Sequence, residues 1–284
     1  MFERLTTYGS FIRFSHSVFA LPFALTGVLL ASRHTPVTIT TLLWIIAAMV
    51  SARAAAMGFN RLVDSRYDAL NSRTADREMP RGVISNRAGA VFVIFSSIIF
   101  MAVTFQLSWL CFILSPVALS LVFWYSLAKR YTAFTQLFLG LAMAVAPIGG
   151  WLAAGGRGGF EPWLLGLAIG AWVAGFDVLY ACQDFDFDRK YGLRSIPARY
   201  GIQAALTISR SMHVIAVTAL ASLVMVVPLG VVYLTGVASV GALLAYEQSL
   251  VKANDLSRIK QAFDLNGYVG FVYLLVTAVA LYVD

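Results

Sequence analysis

Residues Thr38–Gly82 read TITTLLWIIAAMVSARAAAMGFNRLVDSRYDALNSRTADREMPRG. The first part of this stretch, about 38–62, is long and apolar enough to cross hydrocarbon about 30 Å thick, which takes about 20 helical residues. Arg53, Asn60, Asp64 and Asp68 follow at intervals of 7, 4 and 4. At about 100° per residue these positions fall on one helical stripe. A membrane helix that ends in a same-face polar ladder predicts an all-α integral membrane protein with its chemistry at a helix end.

The rest of the chain agrees. Of its 284 residues 60% are hydrophobic and 12% charged, with a mean hydropathy of +0.78. A soluble domain carries about 25% charged residues, so an ordinary soluble enzyme is excluded. Apolar stretches at roughly 10–32, 38–62, 88–106, 108–127, 132–154, 162–183, 206–227, 229–248 and 266–283 predict nine transmembrane helices. No alternating pattern marks a barrel. The first stretch is long enough to span rather than be removed. Cys111 and Cys182 lie in apolar runs, which excludes a disulfide framework and a cysteine zinc site.

With the N-terminus cytoplasmic, only Arg33 and Arg157 of the 21 basic residues fall on the far side. The active-site mouth is then cytoplasmic and the C-terminus lies on the far side, in a membrane expected to be the bacterial inner membrane. The net charge of +7 belongs to loops beside the lipid bilayer, and no nucleic-acid motif accompanies it. No obligatory protein partner is expected.

A second cluster reads GFDVLYACQDFDFDRKYGLRS over 175–195, and its Asp184 and Asp188 stand 120 residues after Asp64 and Asp68. The segments around Tyr125 and Tyr246 repeat at nearly the same interval. The chain therefore reads as a single domain of two tandem four-helix units, about 10–130 and 132–250, around a central cavity, with a ninth helix at about 266–283. Asp177, Tyr180, Asp184 and Asp188 are expected on one stripe, and Asp186 away from it.

Carboxylates at i and i+4 repel, and a carboxylate in a membrane helix costs about 2.5–3.5 kcal/mol. Oxygen donors without neighbouring histidine or cysteine suit a hard cation, and Mg²⁺ takes one or two carboxylates plus substrate phosphates. Two Mg²⁺ ions bridging a diphosphate account for both ladders, with Asn60, Asp64, Asp68, Asp184 and Asp188 as ligands. Arg66, Arg73, Arg77, Arg81, Lys190 and Arg194 supply complementary charge. The plainer alternative, a structural ion-pair network, is assigned to Asp186, Arg87, Arg210 and Lys260.

Asn60, Asp64 and Asp68, followed by Asn71, Arg73, Thr74, Arg77, Pro80 and Gly82, resemble the first signature of the UbiA-type intramembrane aromatic prenyltransferases, with Arg53 in a matching position. Asp184 and Asp188, with Asp177 and Tyr180 before them and Lys190, Gly192, Arg194 and Ser195 after, are similar to the second. The resemblance implies transfer of a polyprenyl group from an allylic polyprenyl diphosphate to an aromatic ring. It also points to Tyr125 beside the allyl cation, because family members carry a similar segment there, and to Lys129 as a diphosphate contact or else an ordinary lysine snorkelling to the interface. Metal-assisted departure of diphosphate in a site kept from water fits that chemistry.

Arg13 is a candidate for binding the carboxylate of the acceptor or the diphosphate, or else a flanking residue of the positive-inside kind. The expected acceptor is a carboxylated aromatic acid, 4-hydroxybenzoate-like or dihydroxynaphthoate-like, feeding respiratory quinones. SHSVFALPFA and YEQSLVKANDLSR resemble segments of bacterial quinone-pathway members. Haem, chlorophyll and lipid branches share the acidic signatures and stay open as alternatives. A cation-coupled transporter also uses repeats and intramembrane acids, although its site would lie near the midplane.

Overall fold

The computed structural model describes Phe11 and residues 20–283. Its helices are α1 (Leu21–Ala31), α2 (Ile39–Leu70), α3 (Asn86–Leu107), α4 (Trp109–Ala128), α5 (Thr135–Ala153), α6 (Glu161–Ala181), α7 (Phe185–Tyr191), α8 (Ile196–Tyr200), α9 (Ile202–Ser222), α10 (Val231–Ser249) and α11 (Ile259–Val283). Among the described residues, 8 helical stretches are long and apolar enough to cross a membrane. Part of the expected first span, 12–19, lies outside the described residues; the part seen is α1, 11 residues long. Capping side chains set several starts. Thr38 Oγ1 accepts the Thr41 N–H at 3.1 Å, and Ser85 Oγ accepts that of Ala88 at 3.2 Å, each worth about 1 kcal/mol.

The chain divides into two compact units, one holding 38–127 with the residues before 19, the other holding 19–37 and 128–284. In the first, α2 packs along α3, and Gly58 leaves room for the side chains of Phe92 and Val93. The segment after α2 turns back, so that Met79 and Ile84 join Phe11 in a small core against Leu62, Ala88 and Phe92. The Phe11 ring meets Phe92 edge-on at 5.8 Å, and Arg61 Nε donates to the Phe11 carbonyl at 3.3 Å.

In the second unit α6 is the most enclosed helix, packed against α5 and α9. Glycines bring α1 and α5 together: Gly27 lies on the Pro147 carbonyl and Gly150 on that of Ala24. Close backbone approach through small residues is the usual basis of helix association in lipid. Polar bonds tie other helices. Ser209 Oγ donates to the Gly175 carbonyl at 2.7 Å, Gln248 Nε2 donates to Ser209 Oγ at 2.7 Å, and the Trp172 indole donates to Asn266 Oδ1 at 2.8 Å.

Candidate active site

The ladder read in the sequence is present on the last turns of α2, which stays helical to Leu70. Asp64 and Asp68 are buried, and Asn60 is half-buried. The Asn60 amide donates to Asp64 Oδ2 at 3.3 Å and to Ser126 Oγ of α4 at 3.4 Å. Asp68 is met by Arg77, whose Nη1 lies 2.7 and 2.8 Å from its two oxygens. The turn after α2 delivers that arginine: Asn71 Oδ1 accepts the Arg73 N–H at 3.0 Å, and Thr74 Oγ1 donates to the Asp68 carbonyl at 3.0 Å. Arg53 is half-buried on α2 with its Nε unpartnered, and Tyr125 of α4 is within electrostatic reach. Arg66 is exposed.

The second ladder departs from the expected continuous stripe. Cys182–Asp184 forms a 3₁₀ turn between α6 and α7, in which the Phe185 N–H bonds to the Cys182 carbonyl. The Gln183 amide side chain takes the Tyr180 carbonyl at 2.8 Å. Three residues at about 120° instead of 100° turn Asp184 and Asp188 by roughly 60° relative to Asp177 and Tyr180. The Tyr180 ring lies tilted against that of Phe263, 4.5 Å between centroids. Asp184 and Asp188 are half-buried and Asp177 likewise, whereas Asp186 is exposed. Asp186→Ala is accordingly expected to retain at least about half of the native turnover, since it removes an exposed charge with no ladder position. A loss as large as that of Asp184→Ala would mean the ligand set is misassigned.

Asp188 Oδ2 accepts the Ser195 hydroxyl at 2.7 Å. The basic residues around it have other contacts too: Lys190 lies over the Tyr191 ring and Arg189 over Phe185, both at 5.4 Å, and Arg194 Nη1 donates to the Tyr131 carbonyl at 2.6 Å. The Arg194 N–H bonds to the Lys129 carbonyl at 2.8 Å, so the second signature is stitched to the α4–α5 connection. The sequence gives no sign of this stitch.

Arg13 lies outside the described residues. Glu247 is buried, and its carboxyl oxygens face Asn266 without reaching hydrogen-bond geometry. In the loop beyond it, Asp255 accepts the N–H and hydroxyl of Ser257 at 3.0 and 2.7 Å, which hold its carboxyl below the usual carboxylate range.

The donors fit a hard cation. Each unit offers two carboxylates at i and i+4, Asp68 being paired with the Arg77 guanidinium, and the Cys182 thiol is turned to the Val178 carbonyl. Among the described residues no three acidic, imidazole or thiol groups converge. A carboxylate pair alone leaves coordination positions for phosphate oxygens and water, as Mg²⁺ prefers.

Fold and site together define an integral membrane protein with charged, oxygen-rich chemistry at its helix ends. Residues 20–275 match the model of the UbiA prenyltransferase family. The 4-hydroxybenzoate octaprenyltransferase of Citrobacter koseri is 33% identical over 239 residues, 82% of each chain, and that of Vibrio atlanticus is 28% identical over 79% of each. The apo structure of a UbiA homolog from Aeropyrum pernix K1 superposes with a TM-score of 0.85 at 33% identity, covering 94% of this chain and 98% of that one. A UbiA homolog from Archaeoglobus fulgidus, bound to GPP and Mg²⁺, shares the fold with a TM-score of 0.72 at 18% identity, over 96% of this chain and 99% of its own. The chain belongs to the UbiA prenyltransferase family. It is an integral membrane prenyltransferase, which decides between the enzyme and transporter readings.

Proposed function

We propose that this chain transfers a polyprenyl group from an allylic polyprenyl diphosphate to a carboxylated aromatic acceptor, 4-hydroxybenzoate-like or dihydroxynaphthoate-like, in respiratory quinone biosynthesis. The observation that carries the reading is the pair of carboxylate ladders at equal spacing, Asp64 with Asp68 and Asp184 with Asp188. The names of the relatives support the acceptor class, and the Archaeoglobus protein's GPP and Mg²⁺ support the donor and metal. The 120-residue repeat supports one prenyltransferase domain of two four-helix copies, about 10–130 and 132–250, followed by a ninth helix. The distribution of Arg33 and Arg157 against the other basic residues supports a cytoplasmic N-terminus.

In this reading Asn60, Asp64, Asp68, Asp184 and Asp188 hold two Mg²⁺ ions against one diphosphate. Bound Mg²⁺ supplies Lewis-acid neutralisation of the leaving group. Arg66, Arg77, Lys129, Lys190 and Arg194 neutralise the remaining oxygens, and Arg53 assists from within α2. Tyr125 presents a ring face and hydroxyl to the developing allyl cation. Asp177 and Tyr180 complete the donor site. The cation is captured by the electron-rich ring, which then loses a proton.

Incubating the purified protein with geranyl or farnesyl diphosphate, Mg²⁺ and a panel of aromatic acids, with mass spectrometry of the products, tests reaction and acceptor together. Prenylation confined to a non-carboxylated acceptor would overturn the acceptor assignment. A finer test concerns Arg13, proposed to hold the acceptor carboxylate by its bidentate fork. Arg13→Ala is expected to raise KM for the aromatic acid about tenfold with little change for the prenyl diphosphate, and Arg53→Ala to do the reverse or abolish turnover. An unchanged acceptor KM in Arg13→Ala removes Arg13 from the site.

A further inference from the structure

Ser195 fastens a ladder carboxylate, Asp188, to a buried structural element in the second unit. Asp188 sits on α7, a half-exposed helix of 7 residues with no fully buried side chain. Its end is closed by Gly192 at φ +68, whose N–H, like that of Leu193 at 2.9 Å, bonds to the Asp188 carbonyl. The chain then reverses into α8, where Ser195 is 3% exposed and Ile196 is fully buried in a cluster with Val178, Leu206 and Ile259.

The hydrogen count fixes the direction of the Ser195 hydroxyl. Its oxygen accepts the Ala198 N–H at 3.3 Å, as the N-cap of α8. Its single proton goes to Asp188 Oδ2 at 2.7 Å, the length of a charge-assisted bond. The platform beneath is pinned as well, because the Ile196 N–H bonds to Gln136 Oε1 at 3.3 Å and Thr135 Oγ1 to the Arg194 carbonyl at 3.3 Å. A cap needs only an acceptor, and the bond to Asp188 is not required for it.

We propose that Ser195 is a positioning residue: its hydroxyl locks the rotamer of Asp188 so that the carboxylate is presented to the divalent cation. The inference rests on the proposed role of Asp188 as a metal ligand. Outer partners of metal ligands are worth about 10–100-fold in affinity, and that is the loss expected here.

The test uses the full-length protein in nanodiscs, with Mn²⁺ binding followed by electron paramagnetic resonance in the presence of geranyl thiolodiphosphate, an unreactive donor analogue. Ser195→Gly keeps a tolerable N-cap, at a cost of a few tenths of a kcal/mol, and removes the hydroxyl. Ser195→Thr keeps both bonds. Ser195→Gly is expected to weaken Mn²⁺ about 10–100-fold with a thermal midpoint near the native one, and Ser195→Thr to stay within about threefold. Native Mn²⁺ affinity in Ser195→Gly, with Asp188→Asn impaired, overturns the lock and leaves only the cap. Native affinity in Asp188→Asn overturns the ligand assignment itself, and the lock with it. Equal loss in Ser195→Gly and Ser195→Thr also overturns the lock, since threonine carries the same hydroxyl.

Discussion

Asp64→Ala, Asp184→Ala and Asp188→Ala are each expected to lower kcat/KM for prenyl transfer by about a thousandfold, equivalent to about 4 kcal/mol of transition-state stabilisation. The reason is the scarcity of other donors: each unit supplies only two ladder carboxylates, and no third acidic, imidazole or thiol group converges on them among the described residues. Removing one leaves the departing diphosphate under-neutralised at the moment its charge grows. Asp68 needs separate handling because Arg77 bonds both of its oxygens. Asp68→Ala strips that guanidinium of its carboxylate, so Asp68→Asn is the fairer variant for activity. Thermal midpoints of the three alanine variants should stay near the native value, which separates loss of chemistry from loss of fold. Turnover that persists at the native level in excess EDTA would sink the assignment.

How far the sequence could be read differs between the two ladders, for a physical reason. The first was legible because α2 is one uninterrupted helix from Ile39 to Leu70, so a 4-residue spacing maps directly onto one face. Over ACQDFDF there is no glycine or proline to announce a break, and the 3₁₀ turn at Cys182–Asp184 arises from local bonding by Gln183 and the Phe185 N–H. Periodicity counted across that turn misplaces Asp177 and Tyr180 relative to the acids that follow. Ser195 was visible as part of a signature, but its bond to Asp188 depends on the left-handed Gly192 and the reversal that follows. Glu247, polar and at the end of α10, is buried beside Asn266. A polar side chain near a helix end tells nothing about which way it points until the neighbouring helices are placed. The long apolar stretches carried the membrane fold with little ambiguity, because length and composition alone decide whether a helix can span.

The adjacent glycines of α5 offer the sharpest test of that packing, because they have opposite surroundings. A Cβ on Gly150 would run into the backbone of Ala24 on α1, while one on Gly149 meets nothing within 4 Å. Across the same contact Gly27 is closed off by the Pro147 carbonyl. Backbone cannot swing aside as a flexible side chain does, so Gly150→Ala must push α1 and α5 apart along their length. Overpacking of this kind costs about 1–3 kcal/mol or more, and Gly150→Val should cost more than Gly150→Ala. Gly149→Ala should instead gain up to about 1 kcal/mol, since alanine is the better helix former and the site is open. Thermal unfolding in detergent, read by intrinsic fluorescence, is expected to place Gly149→Ala at or above the native midpoint. Gly150→Ala should fall well below it, and Gly150→Val should yield little monodisperse protein on size exclusion. Equal behaviour of the two alanine variants would mean that α1 does not lie on α5 at this crossing, and with it would go the packing assigned to Gly27 and Pro147.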